Sequence, residues 1–177
     1  ACTQDEVLGV NEELPTTKTR SVLSTQEAQE KFAKILSKAV ASSESVRSFL
    51  KQEALSKIDN GYNIFYPIAK DKILDNRTFK NVLSDFEEYS GEIEEIENKV
   101  PLLNIHIPEI ATLKVSELNI SDNEIPVLYQ NQMYFNGNII DTLATNEVPG
   151  FYTFVVSESN SIQVRNKKTR CSNDCYI

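Results

Sequence analysis

Apolar residues in the first half of the chain recur at the spacing of an α-helix. The first run starts at Ser24, which forms an S-x-x-E capping box with Glu27, a pattern that satisfies free backbone N–H groups at a helix start. After this start, apolar side chains three and four positions apart define one helix face, at Phe32, Ile35, Leu36, Ala39 and Val40. The pattern predicts a helix that ends near Ala41.

A second helix is predicted to begin in the polar stretch Ser42–Ser45 and to stop at Asp59, Asn60 and Gly61, which tolerate the left-handed backbone of a helix end. Its apolar face consists of Val46, Phe49, Leu50, Ala54 and Ile58. Because the connection between the two helices is short, we expect them to pack as an antiparallel pair.

The following segment, Tyr62–Pro67, is compatible with a short strand or with a bend into another helix, since Pro is acceptable at a first helical position. Thr78 is predicted to cap a further helix, and Glu92–Lys99 is predicted to form one more.

Acidic residues are dense between Asp85 and Glu97, where seven carboxylates occur. A calcium loop needs oxygen ligands at alternating positions and a Gly for its sharp turn, whereas these acids surround Ile93 and Ile96 in a helical pattern. We therefore expect a solvated helix face here and no metal site.

The pattern changes after position 101 to short apolar runs of the β type. The run Leu102–Ile107 alternates, and Asn136-Gly137 is the strongest hairpin turn signal in the chain. Phe151–Val156 and Ile162–Val164 are expected to form a second hairpin. The predicted class is α+β, with the N-terminal antiparallel helices packed on a small antiparallel or mixed β-sheet from the C-terminal half.

Length and charge limit the classes of function. The chain has 177 residues, enough for one domain with its own core, and a net charge of −8 that disfavours nucleic acid as a partner. We expect a tether over residues 1–22, one domain over 23–170 and a cysteine-containing tail over 171–177. Within the domain, residues 24–99 are predicted to be helical and 100–165 strand-rich.

The first residues carry a possible anchoring signal. The chain starts without Met, and Cys2 after Ala1 is similar to the lipid-attachment site of bacterial lipoproteins. Asp5 and Glu6 resemble the signal that exports Bacteroidetes lipoproteins to the outer face of the outer membrane. We therefore expect a lipid-anchored, surface-exposed protein of the outer membrane; the alternative is an ordinary exposed thiol.

Three longer stretches extend this resemblance. They are Phe32–Val40 with Val46–Leu55, Lys99–Ile105, and Val148–Phe151 with Phe154–Glu158. All are similar to segments of Bacteroides-type exported lipoproteins of uncharacterised function. The resemblance implies a fold and a location, and it transfers no functional residues.

Few residues indicate chemistry. His106 is the only histidine, so an exposed strand residue is expected rather than a metal ligand or a catalytic base, and no cofactor is predicted. Cys171 and Cys175 are candidates for a disulfide. Thr142, in Asp-Thr-Leu, resembles an O-glycosylation acceptor of Bacteroidetes envelope proteins.

The favoured function is a non-enzymatic surface module that binds a glycan, a peptide or an envelope partner. Its candidate contacts are aromatic side chains expected to be exposed in the strand half, namely Tyr129, Tyr134 and Tyr152. One alternative is a hydrolase whose acids converge only in three dimensions, with Glu109, Glu117, Asp122 and Glu124 as candidates. The other is a protease pro-domain or inhibitor.

Overall fold

The computed structural model describes residues 21–56, 61–144, 147 and 149–159. Five candidate site residues lie outside these ranges, namely Cys2, Asp5, Glu6, Cys171 and Cys175, as do Ile58, Asp59 and Asn60 at the predicted end of the second helix. Within the described ranges, no helix has the length and apolar character needed to cross a bilayer.

The two N-terminal helices begin where they were predicted, but the second ends at Leu55, before its predicted stop at residues 59–61. Helix α1 covers Thr25–Ser42, and its capping box is present because Ser24 and Glu27 bond reciprocally, with N···O distances of 3.1 and 2.8 Å. Helix α2 covers Glu44–Leu55, so one residue separates the two helices. That residue, Ser43, caps α2 by accepting a hydrogen bond from the backbone N–H of Val46.

The rest of the N-terminal half contains more strand than expected. Its elements are β1 (Asn63–Phe65), α3 (Tyr66–Ala69), β2 (Ile73–Leu74), β3 (Arg77–Thr78), α4 (Phe79–Ser84) and α5 (Glu92–Lys99). Thr78 caps α4 as predicted, since its hydroxyl accepts from the Asn81 N–H. The β2–β3 hairpin was not predicted; its turn residues Asp75 and Asn76 have φ angles of 50° and 63°.

The C-terminal half supplies five strands, β4 (Leu103–His106), β5 (Val127–Tyr129), β6 (Gln132–Phe135), β7 (Asn138–Thr142) and β8 (Phe154–Glu158). With β1 they form a six-stranded sheet in the order β1-β4-β8-β5-β6-β7. Only β5 and β8 pair in parallel among these neighbours. The sheet is therefore mixed, and the α+β class is confirmed.

The first predicted hairpin is present, and Asn136 and Gly137 turn between β6 and β7 with φ angles of 46° and 83°. The second predicted hairpin pairs Phe151–Val156 with Ile162–Val164. Such a hairpin requires one edge of β8 to be free for the second arm. Val155 and Val156 instead pair with β4 on one side and β5 on the other. Its second arm, 162–164, lies outside the described residues.

One face of the sheet carries the core. The strand residues in the main apolar cluster alternate along each strand: Ile64, Leu103, Ile105, Val127, Tyr129, Tyr134, Phe154 and Val156. The helices contribute most of the other residues of that cluster, including Phe32, Leu36, Leu50, Phe79, Ile93 and Ile96. The helices therefore pack on this face, which we call the helix face of the sheet.

The acidic segment differs from the expected solvated helix face. Glu92 is 1% exposed, and its carboxylate accepts hydrogen bonds from the Lys31 ammonium and from the Glu88 N–H. Glu97, on the same helix, accepts from Lys80 and from the buried Tyr66 phenol. The interpretation as a solvated face is wrong for these two acids, which tie α5 to its neighbours.

Candidate binding groove

Two of the three candidate contact tyrosines are buried. Tyr129 and Tyr134 are 4% and 1% exposed and belong to the core on the helix face. Their hydroxyls donate to Gln29 Oε1 at 2.6 Å and Gln132 Oε1 at 2.9 Å. The expectation that these two rings are exposed is wrong, because the sheet turns them toward α1.

Tyr152 and Thr142 lie nearer the surface. Tyr152 is half-buried and donates from its hydroxyl to the Lys114 carbonyl at 2.8 Å. Thr142 is exposed on β7, an outermost strand of the six-stranded order. Its backbone N–H donates to Oδ1 of Asp141 at 2.8 Å, and Ile140, two positions earlier, is left out of the β6–β7 register as a bulge.

His106 lies on the opposite face of the sheet from the core, as the alternation of β4 predicted. Register partners place it in one row that crosses all six strands: Asn63, His106, Val155, Leu128, Met133 and Asp141. The side chain is half-buried, and this burial lowers the pKa of the imidazole below its usual value. The expectation of an exposed histidine is therefore wrong.

The four acids of the hydrolase alternative are all exposed: Glu109, Glu117, Asp122 and Glu124. They lie between β4 and β5, and Asp122 uses one carboxylate oxygen to accept from the Glu124 N–H at 2.9 Å. None of the four lines the groove described next. Across the described ranges, no group of three or more His, Cys, Asp or Glu side chains is arranged to hold a metal ion.

A groove of about 370 Å³ runs between α2 and the β2–β3 hairpin. Its lining comprises Glu44, Ser45, Ser48, Phe49 and Gln52 from α2, Ile73, Leu74 and Asp75 from the hairpin, and Ile120. Its volume falls within the range of about 300–1,000 Å³ typical of small-molecule sites. It is shallow and largely open to solvent, so a ligand can enter without movement of the fold.

Three contacts of cationic side chains fix the walls of the groove. Arg47, which is 5% exposed, donates from Nε to the Ile120 carbonyl at 2.6 Å. Lys51 donates to the Leu118 carbonyl at 2.8 Å. Arg47 and Lys51 therefore hold the loop that contains Leu118 and Ile120 to α2. Lys72 lies 2.6 Å from the Glu53 carboxylate and ties the hairpin to the same helix. The groove is thus formed before any ligand is present.

The floor and the far end of the hairpin are also supported. Phe49 packs on Phe79 with ring centroids 4.7 Å apart. Arg77 and Asp85 form a two-armed ion pair, with N···O distances of 3.1 and 2.6 Å. The hydrogen bond from Arg77 lowers the pKa of the Asp85 carboxyl and raises that of the guanidinium. Because both side chains are about half exposed, this pair positions the hairpin more than it stabilises the fold.

Polar residues of α2 face the groove on one helix stripe. Ser45, Ser48 and Gln52 are spaced three and four positions apart, and the Gln52 amide lies 3.4 Å from the Ser48 hydroxyl. No Lys, Arg or His belongs to the lining among the residues that the structure describes. The groove therefore offers neutral hydrogen-bonding groups and carboxylates beside an apolar wall.

The sequence contained a weak signal for this site. The stripe of Ser45, Ser48 and Gln52 lies next to the apolar face of α2, and its helical spacing is visible in the sequence. The stripe lines a groove only because the β2–β3 hairpin lies opposite it. The sequence does not predict that hairpin, because strands of two residues are too short to show alternation.

Comparison with known proteins gives no independent identification. No family model, no curated protein and no solved structure matched the chain. Its function is therefore argued from its own residues.

Proposed function

We propose that this protein is a binding module that holds a ligand in the groove between α2 and the β2–β3 hairpin. The observation that carries the proposal is the set of contacts from Arg47, Lys51 and Lys72 that fixes all three walls. A pre-formed site binds at lower entropic cost, because its walls are already held in place. These three contacts thus support a groove that is itself accessible.

The groove replaces Tyr129 and Tyr134 as the proposed contact surface. Tyr129 and Tyr134 are unable to reach a ligand without opening the core. The groove side chains Glu44, Gln52 and Ile73 are exposed and reach solvent directly.

The location of the module is part of the same proposal. It rests on Cys2, Asp5 and Glu6 in the sequence, and it places the groove outside the outer membrane on a lipid anchor. Acyl labelling of the protein expressed with its native leader tests the anchor, with Cys2→Ser as the control. Labelling that persists in this variant, or that fails in the wild type, contradicts the anchor but leaves the groove proposal intact.

Ligand-observed and protein-observed NMR test the groove. A fragment set of neutral saccharides, alkylammonium ions, carboxylates and phosphates is titrated into ¹⁵N-labelled protein. We expect at least one class to shift amide resonances of α2 and the hairpin together. Shifts confined to other surfaces, or no shifts at all, contradict the proposal.

A groove-filling variant makes this result specific. Ser48→Phe places a ring in the groove from a half-buried position and should abolish the shifts. Ser42→Phe makes the same change at an exposed position outside the lining and should leave them unchanged. Circular dichroism tests whether both variants fold. If Ser48→Phe does not fold, Gln52→Ala serves as a smaller change.

The hydrolase alternative is less well supported. Glu109, Glu117, Asp122 and Glu124 are exposed and lie outside the groove, so no bound ligand there meets them. The structure offers no observation that favours a pro-domain or inhibitor role over binding in the groove.

A further inference from the structure

We infer that the ligand of the groove is a neutral saccharide, an inference that rests on the proposed function and specifies its substrate class. The lining combines three kinds of surface that a pyranose ring requires. These are neutral groups that both donate and accept, additional acceptors, and an apolar wall.

The first surface is the polar stripe of α2. The hydroxyls of Ser45 and Ser48 donate and accept, while the Gln52 amide, which already donates to the Ser48 hydroxyl, supplies one further donor and a carbonyl acceptor. Sugar hydroxyl groups also donate and accept, so they can satisfy both kinds of group on this stripe. A ligand that only accepts or only donates leaves part of it unpaired, which is costly for a group removed from water.

The second surface is formed by two carboxylates, Glu44 at the start of α2 and Asp75 in the hairpin turn. Ionised carboxylates accept hydrogen bonds only, so they favour a ligand rich in donors. With no cationic side chain in the described lining, a phosphate or carboxylate ligand meets net repulsion.

The third surface is apolar. Ile73 of the hairpin is 67% exposed, while Leu74 beside it and Phe49 of α2 are buried. The hairpin side of the groove, with Ile73, lies opposite the polar stripe of α2. A pyranose has C–H groups on its faces and hydroxyls around its edge, so one ring can contact both walls at once.

A small cation is the main competing ligand. Glu44 and Asp75 are both exposed, so their attraction for a cation is weakened by water and by salt. A cation also makes no use of the amide donors of Gln52. The lining as a whole therefore fits a polyol better than an ammonium ion.

The test uses saccharides of known composition as probes. Glucose, galactose, mannose, N-acetylglucosamine and their β- and α-linked disaccharides are titrated at 50 and 500 mM NaCl, with n-butylammonium in parallel. At least one saccharide should shift the resonances of α2 and the hairpin, with an affinity that is unchanged by salt.

Substitution of Gln52 gives the quantitative check. Gln52→Ala should weaken the saccharide affinity roughly 2–10-fold, the value of one or two neutral hydrogen bonds. Gln26→Ala is the matched control, since Gln26 is an exposed glutamine on α1 that donates to Glu30 and lies outside the groove. Its affinity should equal that of the wild type.

The possible failures are distinguishable. Binding of n-butylammonium in the groove, weakened by salt, without binding of any saccharide overturns the saccharide inference but supports the groove as a site. Equal affinities for Gln52→Ala and Gln26→Ala overturn the inferred role of the polar stripe. Absence of groove shifts with every probe class overturns the proposed function itself.

Discussion

The ammonium of Lys31 lies 2.8 Å from the carboxylate of Glu92, a residue 61 positions later in the chain that is 1% exposed. Burial lowers the pKa of Lys31, but the hydrogen bond and charge of Glu92 outweigh that effect and raise it. The second carboxylate oxygen of Glu92 accepts from the Glu88 N–H at 2.7 Å. One buried carboxylate thus joins α1, α5 and the segment between α4 and α5.

Removing the cation should destabilise the protein. Lys31→Met keeps the aliphatic stem but leaves the Glu92 charge buried without its partner. We expect a loss of about 2 kcal/mol in the free energy of unfolding, below the 3–5 kcal/mol of a fully buried pair because Lys31 is 26% exposed. Urea unfolding measures it, with Lys34→Met on the same helix as the control.

A second substitution separates charge from packing. Adding Glu92→Gln to Lys31→Met should recover part of the loss, because an amide is less costly to bury than an unpaired charge. Equal stability of the single and double variants would show that the lost contact is one of packing.

The turn between β6 and β7 depends on Gly137. Its φ of +83° is unfavourable for other residues, and a Cβ there would lie 2.5 Å from Cε of Lys38. Gly137→Ala should lower stability by about 1–2 kcal/mol. Gly91→Ala, at φ +85° with open space around it, should show the backbone strain alone, and Gly150→Ala should show neither effect. Thermal unfolding of the three variants tests this order.

The hydroxyl of Ser37 attaches this turn to α1. It accepts from the Gly137 N–H at 2.9 Å, donates to the Lys34 carbonyl at 2.8 Å, and is 1% exposed. Ser37→Ala should cost about 1–2 kcal/mol, because the Gly137 N–H loses its partner. Faster hydrogen exchange at Gly137 should accompany the loss. Unchanged exchange, or a stability equal to that of the exposed Ser42→Ala, would contradict this role.

Stability should depend on pH through His106. Burial lowers the pKa of the folded imidazole, so the unfolded chain, with a pKa of about 6.5, binds a proton first as pH falls. Stability should therefore be full above pH 6.5 and decline as pH drops from that value toward the folded pKa. Urea unfolding between pH 7.5 and 5.5 measures the decline.

The single histidine makes this test clean. His106→Gln should remove most of the slope above pH 5.5, since no other imidazole is present. A slope that is unchanged in His106→Gln would assign the pH dependence to carboxylates.

The helix starts and the β6–β7 turn could be predicted from the sequence because they depend on interactions between residues close together in the chain. Ser24 and Thr78 cap helices, and Asn136 with Gly137 forms a turn, because each signal acts within a few residues. The same reasoning missed the β2–β3 hairpin, although Asp75 is followed by Asn, because strands of two residues have no period to detect.

Long-range packing explains what the sequence did not predict. Whether Tyr129 and Tyr134 face water or core depends on which side of the sheet α1 covers, and α1 lies about 100 positions earlier. The parallel pairing of β5 with β8 and the meeting of α2, the hairpin and Ile120 are equally non-local. Periodicity assigns residues to faces, but it does not say which face another element will occupy.

The bulge at Ile140 limits what the border of the sheet can do. An additional strand aligns best on a straight row of unused backbone groups, whereas β7 is kinked and its Thr142 N–H already bonds to Asp141. Neighbouring copies would therefore not join their sheets along this strand.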